Sequence, residues 1–358
     1  MDDISKIKAL VSLREECNDL RIVADAGLGR RGFTLLGILR NEMYFLPTFL
    51  NHYRRLGVER FVFLNDRSTD GSYEFLVRQA DTVVVESGHT YGDTFDIPYS
   101  LSRKIKRPRI LYLWRAMLHD MFASGDWAVQ VDLDEFVHLP DGLTFQHIVE
   151  RLEQLEAHAA WGVMLDVYPQ DVAAYLVHQI SSRLDLGAPW YFDGEQHVRL
   201  RRRRAPRLIY AGARARLYTA YEIDGFNSTR ELASWKNSLG ILSRRLFKSK
   251  PKSANALQKP VLAKWGPDCY YANSHQTNLF ASDQVLLPIL HFRFAGNLES
   301  KIESGLRERS YHAGSLDHRR LSALLEKMSK ENGSFLYKNS LPVGSFSDFI
   351  DTGNAIGF

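Results

Sequence analysis

The sequence has little of several features that often decide a protein's class. Two cysteines in 358 residues, Cys17 and Cys269, exclude a disulfide framework and a zinc ribbon and favour a reducing compartment. No stretch approaches the ~20 consecutive apolar residues that a membrane-spanning helix needs. The first residues, MDDISKIKALVSLREE, carry charges throughout and have no apolar core of the kind found in a signal peptide. These absences predict a cytoplasmic protein, with peripheral contact at the inner face of the membrane as the limit of any membrane association.

Neither sign of charge is in large excess. The formal net charge is +4, too small to indicate nucleic-acid binding. Residues 199–207, RLRRRRAPR, nevertheless contain six arginines and no aromatic residue, a poor pattern for stacking on bases. This run has two interpretations: a solvated basic strand or loop, or a surface that contacts an anionic acceptor or a membrane.

What the sequence does have is a regular alternation of apolar strands and amphipathic helices from residue 33 onward. Hydrophobic residues make up 45% of the chain, enough for a sizeable core. The spacing predicts helices over 46–57, 72–80 and 111–124 and strands over 33–39, 60–65, 82–86, 127–134, 161–168 and 285–294. Strands that alternate with helices in this way form a mostly parallel α/β sheet, and ligands bind at the carboxyl ends of its strands.

The strand at 127–134 ends in acidic residues, within AVQVDLDEFVHLP (residues 128–140). With the strand continuing to residue 134, Asp132 and Asp134 share one face and Leu133 lies on the other. Two adjacent carboxylates repel each other unless something neutralises them. Mg²⁺ or Mn²⁺ would do so while binding the phosphates of a substrate. The alternative is a strand end whose acids face water or cap the next element.

A second polar segment, NDRSTDGS (residues 65–72), follows the strand at 60–65 and begins a helix. Asp66, at the end of that strand, is placed to accept hydrogen bonds from a base or a ribose. Ser68, Thr69 and Asp70 are good helix caps, so an ordinary capped turn is the alternative interpretation.

Read in order, these segments resemble a known family. The chain has R-N-E-x-x-x-L-P from residue 40, L-G-V at 56–58, F-x-x-x-N-D-x-S-T-D-G-S from residue 61 and D-L-D-E-F from residue 132. This order is similar to that of bacterial glycosyltransferases of family 2 type, which have the GT-A fold. The resemblance covers roughly residues 33–315 and includes the segments 211–218, 259–267, 272–276 and 287–294.

The resemblance implies an architecture. We expect a GT-A fold, that is, a Rossmann-like nucleotide-binding, mostly parallel sheet flanked by helices, with a C-terminal helical appendage. An N-terminal helical segment would occupy residues 1–30, the catalytic domain 31–300 and the helical tail 301–358. Within the catalytic domain, 31–140 would be the nucleotide-sugar half and 141–300 the acceptor half.

The resemblance also implies a chemistry: metal-dependent, inverting transfer of a sugar from a nucleotide-sugar donor, with a UDP-sugar favoured, to a glycan or lipid-linked acceptor in bacterial surface polysaccharide synthesis. The residues it implies for the donor are Arg40, Glu42, Asn65, Asp66, Asp132, Arg214, Arg216 and His275. Those it implies for Mn²⁺ or Mg²⁺ are Asp132, Asp134 and His291. We expect Arg214 and Arg216 on a strand, sharing a face.

The catalytic base is less well indicated. The family's usual E-D motif after the D-x-D is absent. Asp193 and Glu195, in PWYFDGEQ, are the candidates, followed by Asp166 in MLDVYP. A carboxylate in this role would take the proton of the acceptor hydroxyl, whereas a loop aspartate that shapes a turn is the alternative. The departure from the motif leaves the stereochemistry open between inversion and retention.

Two other classes of function fit part of the pattern. A nucleotidyltransferase or a metal-dependent phosphohydrolase also uses paired carboxylates on an α/β sheet. Against a nucleotidyltransferase, the sequence has no Gly-rich phosphate loop with a signature lysine. Against a phosphohydrolase, it has few carboxylates and histidines for a two-metal site. A non-catalytic, sugar-binding GT-A-like protein is the remaining alternative.

Overall fold

The chain folds into two compact units. The computed structural model describes residues 14–16, 18–94, 109–225, 256–296, 298–308 and 312–358. Unit 1 comprises residues 1–161 and 259–282, and unit 2 comprises 162–258 and 283–358. Much of the helix expected in the segment 1–30 lies outside the described residues. The expected boundaries near residues 30, 140 and 300 stay a prediction.

The described elements, in chain order, are β1 (Arg21–Ala24), β2 (Phe33–Leu39), α1 (Leu46–Arg55), β3 (Val58–Asn65), α2 (Ser72–Leu76), β4 (Thr82–Glu86), α3 (Ile110–Phe122), β5 (Trp127–Gln130), β6 (Glu135–Val137), α4 (Phe145–Gln154), β7 (Ala159–Asp166), α5 (Val172–Ile180), β8 (Tyr191–Asp193), β9 (Val198–Arg201), β10 (Arg204–Leu208), α6 (Gly212–Ala220), β11 (Gln258–Lys264), β12 (Tyr271–Asn273), β13 (Gln276–Thr277), β14 (Ala281–His291), α7 (Leu298–Glu308), α8 (His312–Lys330), β15 (Ser340–Pro342) and α9 (Phe346–Asp351).

The sheet of unit 1 is mostly parallel. Its strands follow the order β1-β4-β3-β2-β5-β11. β2 pairs in parallel with β3 and β5, and β3 pairs in parallel with β4. The two outer strands of this order, β1 and β11, run antiparallel to β4 and β5. The predicted α/β class, with a mostly parallel sheet flanked by helices, is confirmed.

The first helix shows why the chain folds this way locally. Leu46, Phe49, Leu50 and Tyr53 recur at helical spacing in α1, and all four side chains are buried. The helix is followed by Gly57, whose φ of 88° lies in the left-handed region that favours glycine. α1 therefore covers the sheet with one apolar face and turns sharply into β3.

The end of the fourth predicted strand differs from expectation. β5 stops at Gln130, and Asp132 and Asp134 lie in the turn before β6. The Glu135 amide donates to the Asp132 carbonyl at 3.1 Å, a hydrogen bond that closes the turn. The strand alternation predicted for the two aspartates is therefore wrong. In this turn the Asp132 carboxylate contacts two cationic side chains, Arg115 and Lys259.

A second correction concerns residues 211–218. The alternation of Arg and Ala there predicted a strand, but Gly212–Ala220 form the helix α6. Ala, Arg and Leu are all strong helix formers. Arg214 and Arg216 consequently point in different directions, about 200° apart around the helix axis, and do not share a face.

The described part of unit 2 also contains helices and short pairs of strands. β9 and β10 form an antiparallel hairpin, and β8 pairs with β15. The predicted helical tail contains α7, α8 and α9 and also the strand β15. A helix long and apolar enough to cross a bilayer is not found in the described parts of the chain.

Candidate functional site

Three loops of unit 1 follow adjacent parallel strands and meet at one edge of the sheet. They are residues 40–45 after β2, 66–71 after β3 and 131–134 after β5. Leu39 is the partner of Asn65, and Leu36 is the partner of Gln130, so the strands end at similar levels. We call these three loops the carboxyl edge. Ligands of parallel α/β sheets bind at such an edge.

Hydrogen bonds tie the first two loops of the carboxyl edge together. The Asn41 amide donates to Ser68 Oγ at 3.0 Å, and the Thr69 amide donates to Asn41 Oδ1 at 2.7 Å. Asp70 accepts from the Met43 and Ser72 amides at 2.9 and 3.0 Å. The polar residues of NDRSTDGS thus fix the loop shape, although the N-cap of α2 is Gly71 and carries no side-chain cap hydrogen bond.

Arg40 and Glu42, on either side of Asn41 in the sequence, differ in their contacts. Arg40 is exposed, and its charge partly opposes the rise in the pKa of Asp66 that burial causes. The Glu42 amide donates to Ser72 Oγ at 3.0 Å, which anchors the backbone of the loop. Their predicted role toward a nucleoside stays a prediction.

Asn65 and Asp66 lie at the end of β3, and both are buried. The Asn65 side chain accepts from the Ser68 amide at 3.2 Å and donates to Glu86 at 3.4 Å, so it shapes the loop. Asp66 is 3% exposed, and its Oδ2 accepts from the Tyr91 amide at 3.1 Å. Burial raises the pKa of Asp66, and the Tyr91 hydrogen bond and Arg40 oppose this rise. A buried carboxylate at this position can accept a hydrogen bond from a ligand.

Asp132, the first aspartate of the D-x-D, belongs to an ion cluster whose other members are buried. Arg115 Nη2, on α3, donates to Asp132 Oδ1 at 2.7 Å, and Lys259 Nζ, on β11, donates to Asp132 Oδ2 at 3.0 Å. Lys259 also forms an ion pair with Glu135, whose Oε2 accepts from the Asp132 amide at 2.8 Å. The side chains of Arg115, Lys259 and Glu135 are 2%, 1% and 3% exposed, whereas that of Asp132 is 41% exposed. Asp132 is therefore the accessible face of this ion cluster.

The charges of the cluster fix its protonation. Burial works against ionisation of Asp132, but Arg115 and Lys259 outweigh it and lower the pKa of Asp132. Burial likewise opposes the charged form of Arg115, yet Asp132 and Glu135 raise its pKa. Arg115 and Lys259 thus place two positive charges against Asp132 at the carboxyl edge.

These residues do not form a metal site on their own. Both oxygens of Asp132 already accept from cationic groups, so a metal ion would compete with Arg115 and Lys259 for them. In the described residues, no group of three His, Cys, Asp or Glu side chains is placed to hold a metal. The cluster itself supplies positive charge next to the D-x-D, which the sequence interpretation assigned to a metal.

The two histidine candidates lie in different units. His275 is in the turn between β12 and β13 of unit 1, where its amide donates to Asn273 Oδ1 at 2.8 Å. His291 ends β14 in unit 2, where its Nδ1 lies 2.6 Å from Asp166 Oδ1. The role of either one toward a donor or a metal stays a prediction.

Unit 2 contains a second buried ion cluster, centred on Asp166 at the end of β7. Arg214 Nε donates to Asp166 Oδ2 at 2.8 Å, and Arg214 Nη1 donates to Asp317 at 3.0 Å. Burial raises the pKa of Asp166, but Arg214 and His291 outweigh it and hold that pKa far below the usual range. A carboxylate so strongly stabilised in its ionised form is a poor proton acceptor.

The other two base candidates are also engaged within unit 2. Asp193 is 1% exposed and accepts from the hydroxyls of Tyr168 and Tyr210, each at 2.7 Å, and from Arg216 Nη2 at 2.9 Å. Arg216 also donates to the backbone of Phe335 at 2.9 Å. Glu195 is half-buried and accepts from Asn339 Nδ2 at 2.8 Å and from Tyr337. Asp193 is thus part of a buried network that joins β8 to α6.

Sequence reasoning missed Arg115 and Lys259. One signal was present: Arg115 is the only charged residue in the apolar half of α3, ILYLWRAML, and a charge in such a position needs a buried partner. Lys259 begins the apolar run KPVLA in the same way. Neither signal says which carboxylate is the partner, because the partners are 17 and 127 residues away in sequence.

His119, one turn after Arg115, gives a test of this region by pH. Its Nδ1 lies 2.8 Å from the Arg115 carbonyl, and its ring packs on Trp265 with centroids 4.4 Å apart. Burial lowers the pKa of His119 from 6.5 to about 4. Between these values the unfolded chain binds a proton that the folded chain does not, so stability falls as pH falls. We expect His119 to account for about 3 kcal/mol of this loss by pH ~4.

The measurement is urea unfolding at neutral pH and near pH ~4.5, for the wild type and for His119→Phe. The phenylalanine keeps a ring on Trp265 and removes the titration, so the variant should lose less stability on acidification. Other groups, such as His52, titrate in both proteins and cancel in the difference. Equal losses in the two proteins would contradict the prediction.

No protein-family model matches the chain, and no curated protein matches it. A comparison with solved structures finds a UTP-bound UGPase from Acinetobacter baumannii, with a TM-score of 0.28 and 7% sequence identity over 89% of this chain and 91% of that chain. A likeness at this level carries no argument about activity. The fold is established by the sheet itself, which is α/β, mostly parallel and flanked by helices.

Proposed function

We propose that the protein is a glycosyltransferase whose unit 1 binds a nucleotide-sugar donor, with a UDP-sugar favoured, and passes the sugar to a glycan or lipid-linked acceptor. One observation carries the proposal: the half-exposed Asp132, held by the buried Arg115 and Lys259, lies on the same carboxyl edge as the buried Asp66. A site that recognises a nucleoside and a diphosphate needs an acceptor for the first and positive charge for the second.

The roles we propose follow from these surroundings. Asp66 accepts a hydrogen bond from the base or the ribose, and Arg40 and Glu42 lie beside it in the adjoining loop. Arg115 and Lys259 stabilise the negative charge that develops on the departing diphosphate, because buried cations act more strongly than exposed ones.

Mn²⁺ or Mg²⁺ would add a Lewis acid for the same diphosphate, with Asp134 as the ligand on this chain and substrate oxygens as the others. The proton acceptor is proposed among Asp193, Glu195 and Asp166. The low pKa of Asp166 makes it the weakest of the three.

A nucleotidyltransferase is the second candidate. The two buried cations beside Asp132 favour it as much as they favour glycosyl transfer, since attack on a nucleoside triphosphate also places charge on phosphate oxygens. The two functions differ in their products. A glycosyltransferase releases UDP from a UDP-sugar when an acceptor is present, whereas a nucleotidyltransferase releases pyrophosphate from UTP and a sugar 1-phosphate.

The test begins with binding of UDP, GDP and dTDP to the purified protein by calorimetry, with and without Mn²⁺. Replacing Asp66 by Ala should weaken binding of the preferred nucleotide about 10- to 100-fold, the effect of losing a hydrogen bond to a charged group. Glu150→Gln, which changes an exposed acid of α4, should bind like the wild type. Failure of all three diphosphates to bind would refute the glycosyltransferase, and failure of UTP to bind as well would refute the nucleotidyltransferase and favour the sugar-binding or scaffold alternative. Release of UDP or of pyrophosphate then decides between the two enzymes.

A further inference from the structure

The arginine run of residues 199–207 forms one face of a β-hairpin. In the ladder between β9 and β10, Arg201 is the partner of Arg204, and Arg199 is the partner of Arg207. Partners directly opposite in an antiparallel ladder share a face, as do residues two apart in one strand. The register shifts between Arg204 and Arg207, but Arg199, Arg201 and the partner opposite each of them still lie on one side of the ribbon. Arg203 follows at the turn with a φ of 55°. We call this side the arginine face.

Exposed arginines of this hairpin carry charge that no carboxylate of the described residues neutralises. Arg199, Arg202, Arg203 and Arg204 are exposed, and no carboxylate of the described residues pairs with them. Arg201 is also exposed and donates to the Ala205 carbonyl at 2.7 Å, which removes no charge. Like charges directly opposite each other destabilise a ladder. An anionic partner would remove this repulsion.

The same unit has an apolar surface at the helix α5. Its exposed side chains are Ala173, Leu176, Val177 and Ile180, spaced so that they form one stripe along the helix. Leu176, Val177 and Ile180 are 49%, 61% and 86% exposed. The helix, VAAYLVHQI, has no Asp, Glu, Lys or Arg. We call these four residues the apolar stripe.

The opposite side of α5 already packs into unit 2. Val172, Tyr175 and His178 are buried, and the His178 ring stacks on Trp190 with centroids 4.2 Å apart. The apolar stripe faces away from this packing. An exposed apolar surface of this kind commonly marks a contact with a protein or a membrane.

We propose that unit 2 binds the surface of an anionic lipid bilayer, with the arginine face on lipid phosphates and the apolar stripe in the interface. Arginines near an anionic leaflet are attracted to it, and apolar side chains of a surface helix enter the headgroup region. The apolar stripe favours a bilayer over a soluble polyanion such as a nucleic acid or an acidic polysaccharide. The absence of aromatic residues in the hairpin also weighs against single-stranded nucleic acid. This inference does not depend on the nucleotide site of unit 1.

The test is sedimentation of the full-length protein with vesicles of phosphatidylcholine alone and of phosphatidylcholine with phosphatidylglycerol. The wild type should sediment with the anionic vesicles and much less with the neutral ones, and added salt should release it. Replacing Arg199, Arg201 and Arg204 together by Gln should lower the partition coefficient roughly a hundredfold, because each basic side chain contributes about a factor of five. Replacing the same three residues by Lys should preserve binding.

A matched control changes three exposed arginines of unit 1, Arg31, Arg78 and Arg151, to Gln. It should bind anionic vesicles more tightly than the hairpin variant, although both have the same net charge. Replacing Leu176 and Ile180 together by Ser should also weaken binding to anionic vesicles. Thermal unfolding of each variant checks that it is folded.

Several results would overturn the proposal. Equal sedimentation with both kinds of vesicle, or none with either, would remove the bilayer as the partner. A soluble polyanion would be the partner if the arginine face retains the protein on heparin and if changing Leu176 and Ile180 does not alter vesicle binding. A dimer that dissociates when the apolar stripe is changed, without loss of vesicle binding, would assign the stripe to a second copy of the chain.

Discussion

Replacing Lys259 by Met should lower the free energy of unfolding by about 3–5 kcal/mol, the usual cost of removing one partner of a buried ion pair. Lys259 and Glu135 are 1% and 3% exposed. Met has a similar length and no charge, so the variant leaves the buried Glu135 carboxylate without its ion pair to Lys259. Urea unfolding followed by fluorescence or circular dichroism measures the change.

Two further variants isolate the cause. Lys264 lies on the same strand, and its ion pair with Glu153 is exposed, with side chains 43% and 52% accessible. Lys264→Met should therefore cost less than about 1 kcal/mol. Combining Lys259→Met with Glu135→Gln should recover part of the loss, because the buried charge is then absent. A double variant no more stable than Lys259→Met would show that Lys259 acts through packing, not through its charge.

The same set of variants bears on function. In the proposed site Lys259 supports a diphosphate through its charge, so Lys259→Met should also weaken nucleotide binding at temperatures where the variant is folded. Lys264→Met should bind normally. Loss of stability together with unchanged binding would make Lys259 a structural residue and would leave Asp66 alone to support the nucleotide proposal.

The sequence predicted the centre of the sheet closely. The strands β2 and β4 have the predicted bounds, 33–39 and 82–86, because each is a short apolar run between polar residues. α1 was predicted from its period of apolar residues and ends two residues earlier than expected. Features set by neighbouring residues are therefore readable from sequence alone.

The candidate site was less predictable because its partners come from distant segments. Asp132 lies in a turn held by Arg115 and Lys259, which belong to α3 and β11. A period-two pattern cannot distinguish that turn from the last residues of a strand. The same limitation produced the wrong strand at residues 211–218, which form a helix whose Arg214 and Arg216 bind three aspartates from distant segments.

Replacing Asp193 by Asn should lower the free energy of unfolding by a similar amount, about 3–5 kcal/mol. The variant keeps the size of the side chain but leaves the buried Arg216 guanidinium without its carboxylate, 2.9 Å away. Tyr168 and Tyr210 also lose the charged acceptor of their hydroxyls. Asp351→Asn, an exposed change on α9, should cost less than about 0.5 kcal/mol.

This variant separates the two roles considered for Asp193. If Asp193 is the buried anchor of a network, adding Arg216→Met to Asp193→Asn should restore part of the lost stability, because the second change removes the unpaired cation. If Asp193 is instead the proton acceptor of the proposed reaction, Asp193→Asn should be nearly as stable as the wild type. Its kcat should fall, and its pH–rate profile should lose the acidic limb. Two phenols and a guanidinium already donate to its oxygens, and at 1% exposure the carboxylate offers little access to an acceptor hydroxyl. We therefore expect the loss of stability, which would move the search for the base to Glu195.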